Sequence, residues 1–172
     1  MATPTNLPAS FSPGNVLTAE NMNDLRGAFR VLQVVSTNLT TAQTIGVAYA
    51  DITGFSASIT PQETSSKIMV VVTATLGGPS GATILLRALR GATAIGQSTA
   101  GSITNGNAAF VSGGIFVMGA ATFTVLDSPS TTSATTYKVQ GITDIATAYV
   151  NRRNNDANFG GTSSITLYEV SA

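Results

Sequence analysis

Lys67-Ile68-Met69-Val70-Val71-Val72-Thr73-Ala74-Thr75-Leu76 decides the fold class of this chain. Ile68 to Val72 is an unbroken apolar run rich in β-branched residues, which fit a pleated surface better than a helix. Such a run predicts a strand over 67–76 that is covered on both faces. A turn-forming cluster, Gly77-Gly78-Pro79-Ser80-Gly81, ends it. Working outward toward the C-terminus, further strands are expected over Thr83–Leu89, Ala92–Ser98, Ala108–Met118, Ala121–Leu126, Thr136–Ile142, Ile145–Val150 and Ser164–Val170. Toward the N-terminus, Phe55–Ile59 and Val31–Leu39 carry the same character. About nine short strands separated by turn signals predict an all-β domain, a jelly-roll-like β-sandwich over residues 31–172. No fixed-period repeat appears, which argues against a solenoid.

The first thirty residues read differently. Residues 1–16 hold Pro4, Pro8 and Pro13 among Ser, Thr and Asn, with Phe11 as their one aromatic side chain. Proline fixes φ and removes hydrogen-bond donors, so the segment is expected to be an extended N-terminal arm. Fully stretched it reaches on the order of 50 Å, enough to dock on a neighbouring subunit. Residues 17–30 are expected to form one short helix. Thr18 suits the N-cap, and Leu17 with Met22 has the spacing of a hydrophobic staple. Met22, Leu25 and Phe29 share one face. Three apolar side chains do not hold up a lone helix of three turns, so that face must pack on the β domain or on symmetry mates.

Composition narrows the function. Only 9% of the 172 residues are charged, eight basic against eight acidic, while 43% are hydrophobic. A typical soluble domain carries about 25% charged residues. About a quarter of the chain is Ser or Thr, so its surface is polar without being ionic. Such a surface lies against a symmetry mate without desolvating ions. Zero net charge and scattered basic residues argue against a nucleic-acid partner, because phosphate binding needs a cationic stripe. No apolar run approaches the ~18 residues of a membrane span. The N-terminus lacks the basic and apolar regions of a signal peptide, so synthesis and retention in the cytosol are expected.

Chemistry is sparse. The chain has no Cys and no His, which removes thiolate and imidazole nucleophiles, bases and metal ligands, and it has no Trp. Ser65, Ser66 and Lys67 are adjacent, but neighbours in a strand point to opposite faces, and a turn is the better reading. Asp51 and Asp127 precede turn residues and are expected to bond their own backbone. Neither a calcium loop nor a phosphate loop is present. No catalytic, cofactor or metal site is expected. Arg152-Arg153-Asn154-Asn155-Asp156 is the most polar stretch and reads as an exposed hairpin loop that could serve as a contact surface. Arg87 and Arg90 either make ion pairs between subunits or lie exposed.

A series of short stretches resembles a family of small phage virion structural proteins, frequent in cyanophages and other aquatic phages. Pro13-Gly14-Asn15-Val16-Leu17-Thr18-Ala19-Glu20-Asn21-Met22-Asn23 resembles the lead-in helix of many phage structural proteins. Leu32-Gln33-Val34-Val35, Asp51-Ile52-Thr53-Gly54, Ile59-Thr60-Pro61, Ser65-Ser66-Lys67-Ile68 and Leu86-Arg87 follow in order. Leu126-Asp127-Ser128-Pro129, Thr136-Tyr137-Lys138-Val139 and Ser164-Ile165-Thr166-Leu167-Tyr168-Glu169-Val170 complete the series, from about residue 13 to near the end. The resemblance implies a jelly-roll-like sandwich, a homotrimer and a place on the virion, assembled in the host cytoplasm. It carries no catalytic motif.

Two virion roles compete. A trimeric capsid decoration (cement) protein would clamp neighbouring capsomers of the major capsid protein through its arm, using Pro4, Pro8, Phe11, Pro13, Leu17, Met22, Leu25 and Phe29. A short tail or head fiber would sit on tail or neck proteins and bind the host surface, even a host glycan, through Arg152–Asp156. Small size, an uncharged surface and the absence of a long stalk favour cement. A free-standing carbohydrate-binding module ranks behind both, because aromatic residues are only 6%.

Overall fold

The computed structural model describes residues 31–101 and 104–171, together with Gly14, Val16 and Thr18. Eleven strands run through it: β1 (Val31–Leu39), β2 (Gln43–Ile45), β3 (Ala50–Ile59), β4 (Lys67–Gly77), β5 (Thr83–Arg90), β6 (Thr93–Ile95), β7 (Ala108–Val111), β8 (Met118–Asp127), β9 (Thr135–Thr143), β10 (Ala148–Val150) and β11 (Ser163–Val170). Among the described residues there is no helix. The expected arm over 1–16 and helix over 17–30 fall outside the described residues, apart from Gly14, Val16 and Thr18.

The strands form two antiparallel sheets. One sets β1, β11, β4 and β8 side by side, with β10 beyond the end of β11 on the same edge of β4 and β2 paired to β10. The other sets β3, β9 and β5 side by side, with β6 and β7 sharing the far edge of β5. The pairings β1·β11, β3·β9, β4·β8 and β5·β7 join the first half of the chain to the second half in reverse order. They amount to one long hairpin ribbon with a nearly continuous register, through Ile59↔Thr135, Ile68↔Asp127, Gly77↔Met118 and Thr83↔Val111. Rolling the ribbon brings β11 against β4 and β9 against β5. This is the path of a jelly roll, in which double-sheet wrapping manages the sheet edges.

The roll has a reason in the side chains. Ile68, Val70, Val72, Ala74 and Leu76 of β4 are all fully buried on one face, opposite Phe55, Ile84, Leu86, Tyr137 and Val139 from the other sheet. Each large apolar side chain so buried contributes ~1.5–3 kcal/mol. Here the structure corrects the reading of β4. Met69, Val71, Thr73 and Thr75 point outward and are only partly covered, so the apolar run is buried on one face and half open on the other.

Other boundaries moved for local reasons. The strand expected over Ala108–Met118 stops at Val111, because Ser112-Gly113-Gly114 turns the chain; the Ser112 hydroxyl donates to Gly78 O at 2.8 Å and Gly114 O at 3.2 Å. β3 begins five residues earlier than expected, at Ala50, because a register shift between Asp51 and Ser56 hides its alternation. Gly54, at φ +78°, permits that irregularity. β2, only three residues long, was not anticipated.

Candidate interaction surfaces

The outward face of the β1–β11–β4–β8 sheet is without charge over three complete rows. Val34, Tyr168, Met69 and Leu126 form the first row, in register across all four strands. Ser36, Thr166, Val71 and Thr124 form the second, and Asn38, Ser164, Thr73 and Thr122 the third. Hydroxyls on this face satisfy one another, as in Ser36 with Thr166 at 2.9 Å and Thr122 with Thr73 at 3.4 Å. Val34 and Leu126, at the two ends of the apolar row, are 52% and 64% exposed. Lys67 stands at the margin, its ammonium donating to Ser128 Oγ at 2.7 Å.

The outward face of the other sheet carries the ions. Lys138 meets Asp51 at 2.7 Å, and Gln140 donates to the second oxygen of that carboxylate at 2.6 Å. These donors, Lys138 first and then Gln140, hold the Asp51 carboxyl below its ordinary range. Arg87 donates twice to Gln140 Oε1 and stacks 3.8 Å from the Tyr49 ring centroid. At the margin between the two sheets, Arg90 of β5 pairs with Asp127 of β8 at 2.8 Å, and the fully buried Tyr137 donates to the same carboxylate at 2.7 Å. Burial, then the neighbouring Asp127, push the Tyr137 phenol far above its usual range. Arg87 and Arg90 are therefore satisfied within the chain instead of facing a neighbour. Asp51 and Asp127 bind side chains distant in sequence instead of their own turns.

The loop singled out in the sequence, Arg152–Asp156, belongs to an excursion thrown out between β10 and β11. Both strands pair with the same edge of β4, and the chain leaves that edge at Asn151 and returns at Ser163. The base is fastened by the buried Asn151, whose Nδ2 donates to Leu39 O at 2.6 Å and Thr41 O at 3.2 Å. Ser163 Oγ donates to Asn151 Oδ1 at 2.6 Å and accepts from Thr75 N at 3.0 Å. Gly77 lets this excursion pass, since a Cβ there would overlap the main chain of Arg152 and Arg153.

Within the loop the charges are used internally. Arg153 forms a two-pronged pair with Asp156, at 2.8 and 2.6 Å, and lies over the rings of Phe159 (4.3 Å) and Phe116 (5.4 Å). Arg153, with the Asn158 N–H, holds the Asp156 carboxyl far below its ordinary value. Arg152 stacks on Tyr149 at 4.0 Å. Asn155 N–H donates to Ile115 O at 3.0 Å, tying the loop to the 112–117 turn. Only Asn155 of the five expected contact residues is fully exposed; Arg152, Arg153, Asn154 and Asp156 are half-buried. Beside these polar groups the tip presents two aromatic rings outward: Phe116 is 62% and Phe159 60% exposed. Sequence reading missed both, because their neighbourhood depends on two loops forty residues apart. The arm and helix residues Pro4, Pro8, Phe11, Pro13, Leu17, Met22, Leu25 and Phe29 lie outside the described residues.

An open groove of about 360 Å³ runs along Thr83, Leu85, Gly101, Thr104, Ile142 and Asp144. Its one carboxylate, Asp144, accepts from Thr83 N at 2.8 Å, and that bond lowers its pKa. Among the described residues no three His, Cys, Asp or Glu side chains gather to hold a metal ion. No helix among them is long and apolar enough to cross a membrane.

One buried carboxylate sets an acid limit on the fold. Glu169 on β11 is 0% exposed, accepting from Gln33 Nε2 at 2.6 Å and Gln62 N at 2.7 Å. Burial works to raise its pKa, but the donors from Gln33 and from the main chain at Gln62 outweigh it and hold the group below its ordinary value. A carboxyl whose pKa is depressed by folding stabilises the native state above its unfolded value. That contribution is lost as pH falls through the folded value. Stability measured by urea unfolding is therefore expected to drop below about pH 4.5. Glu169→Gln should be less stable at pH 7 and show a shallower decline in acid. An unchanged slope would mean that Glu169 does not govern the acid limit.

No protein-family model matches the chain, and no curated protein matches it. Among solved structures, the chain is similar to one in the "Structure of infectious bursal disease virus Gx strain", with 11% identity and a TM-score of 0.40. That alignment covers 95% of this chain and 45% of the other, so the chain spans less than half the length of the protein it matches.

Proposed function

We propose that this chain is a structural protein of a bacteriophage virion, a trimeric capsid decoration protein that is built to be packed against other protein. One observation carries this reading. The run Ile68–Val72 has the composition of a strand covered on both faces, yet among the described residues only one face is fully covered. Its other face lies at the centre of a charge-free surface four strands wide. A partner completes the burial that the sequence is written for, and no ion has to be desolvated when it does. The internal pairing of Arg90, Lys138 and Arg153 with carboxylates, and the hydrogen bonding of Arg87 to Gln140, agree with a chain that does not recruit charged ligands.

The alternative, a short fiber or receptor-binding module, draws on the exposed Phe116 and Phe159 beside Arg153. Copy number per virion, counted by cryo-electron microscopy, separates the two: hundreds of copies over the capsid fit decoration, and a few at the tail or neck fit a fiber. Absence from purified particles overturns both. The arm belongs to the same proposal. Deleting residues 1–16 is expected to reduce incorporation at least tenfold while the purified chain keeps its fold and its trimer. Normal incorporation of the truncated chain would show that the arm is not the clamp.

A further inference from the structure

We infer that β8 is a pairing edge for a second copy of this chain, joined antiparallel to β8 of that copy about a two-fold axis at Thr122. This goes beyond the virion reading and stands on the edge itself. Among the described residues, every other edge of the sandwich offers a shorter or less regular strand for pairing. β1 has a register shift between Val31 and Gln33, and β3 one between Asp51 and Ser56. β2, β6 and β7 are three, three and four residues long. β8 runs for ten consecutive pairs with β4 without a shift, holds no proline, and has no charged residue before Asp127 at its end. Among the described residues, no main-chain hydrogen bond beyond the β4 ladder reaches Met118–Asp127. Its outer row of N–H and C=O groups is a template for another strand.

The sequence of β8 fits itself in one register. About Thr122, Ala121 faces Phe123 of the second copy and Gly119 faces Val125 of the second copy, so a small side chain meets a large one at each inward position. On the outward side, Met118 faces Leu126 and Ala120 faces Thr124, while Thr122 meets itself. Cross-strand pairs of this kind each contribute ~0.2–1 kcal/mol, and no like charges oppose one another. Because a residue on a two-fold axis faces its own copy, the inference singles out one position. Where copies are also grouped in threes, this edge links one group to the next.

The chain has no cysteine, which makes the test direct. Opposed Cα atoms in an antiparallel pair lie ~4.5–5.5 Å apart, within the span of a disulfide. The Cα atoms of Ala120 and Ala120 of the second copy would be about 13 Å apart along the strands. Under mild oxidation, Thr122→Cys is expected to form a covalent dimer at least tenfold faster than Ala120→Cys or Thr124→Cys. The double variant Ala120→Cys with Thr124→Cys should also link. In sedimentation equilibrium the unmodified chain should show a concentration-dependent two-fold association, weakened at least tenfold by Thr122→Lys. All three substituted positions, 120, 122 and 124, face outward, so the fold is spared, and a thermal melt checks this. A monomer throughout, or Thr122→Cys linking no faster than its single-cysteine neighbours, overturns the inference. A trimer without Thr122 cross-links overturns it while leaving the three-fold assembly standing. A Thr122-linked dimer from a protein absent from virions upholds it and overturns the virion role alone.

Discussion

Val71→Lys is expected to leave the sandwich folded and to reduce the number of copies per virion at least tenfold. Val71 lies on the outward side of β4, in register between Thr166 and Thr124 at the middle of the charge-free face. In the free chain a lysine there extends into water, and outward substitutions of this kind change stability by only about 0.5 kcal/mol. Against a partner the same ammonium is buried with no acceptor ion, since no described residue of the surrounding rows is charged. An unpaired buried charge costs several kcal/mol, and 1.4 kcal/mol is already tenfold in binding. Ser58→Lys, on the outer face of the opposite sheet, is the control and should incorporate normally. Copies per particle, from cryo-electron microscopy or quantitative gels, decide the matter. Equal incorporation of both variants would mean that the β1–β11–β4–β8 face is not the assembly surface.

Asn151→Ala should cost about 3–5 kcal/mol, lowering Tm by on the order of 10 °C. Asn151 is 3% exposed and adopts φ +63°, which asparagine tolerates better than alanine. Its side chain satisfies the carbonyls of Leu39 and Thr41 and accepts from Ser163. Removing it leaves three polar groups without their partners beside the core, each costing ~1–3 kcal/mol. Asn151→Gly separates the two contributions, because glycine accepts the backbone angle but restores none of the bonds. It should recover less than about 1 kcal/mol of the loss. The excursion of residues 152–162 should also open, read as faster amide exchange at Asn155 and Gly161, whose N–H groups bond Ile115 O and Asn151 O. A loss under 1 kcal/mol would show that the excursion is held by something other than its base.

Much of the architecture could be read from residue pattern. β4, β5, β9 and β11 were placed within a residue or so, because Ile68–Leu76, Ile84–Leu86, Tyr137–Val139 and Ile165–Leu167 alternate or run apolar against clear turns. The pattern failed where alternation is broken by a turn inside an apolar stretch, as at Ser112–Gly114. It also failed where an irregularity shifts the face, as between Asp51 and Ser56. The segment expected as a contact loop reads as a polar run, and the structure adds two exposed aromatic rings beside it. Phe116 and Phe159 gave no signal, because only the roll of the ribbon sets the 112–117 turn beside the β10–β11 excursion.

Sequence alone determined the β character, the absence of thiol and imidazole chemistry, and the near absence of charge, since these depend on composition and on a period of two along each strand. The tertiary structure decided which faces those strands show and which ions find each other. Arg90 meets Asp127, and Lys138 meets Asp51, across 37 and 87 residues of chain. The physical reason is that pairing in a rolled ribbon is set by register between distant halves, which no local pattern encodes. Only that register sets Asp51, Lys138 and Arg87 together on the outward side of one sheet and leaves three outward rows of the other without charge.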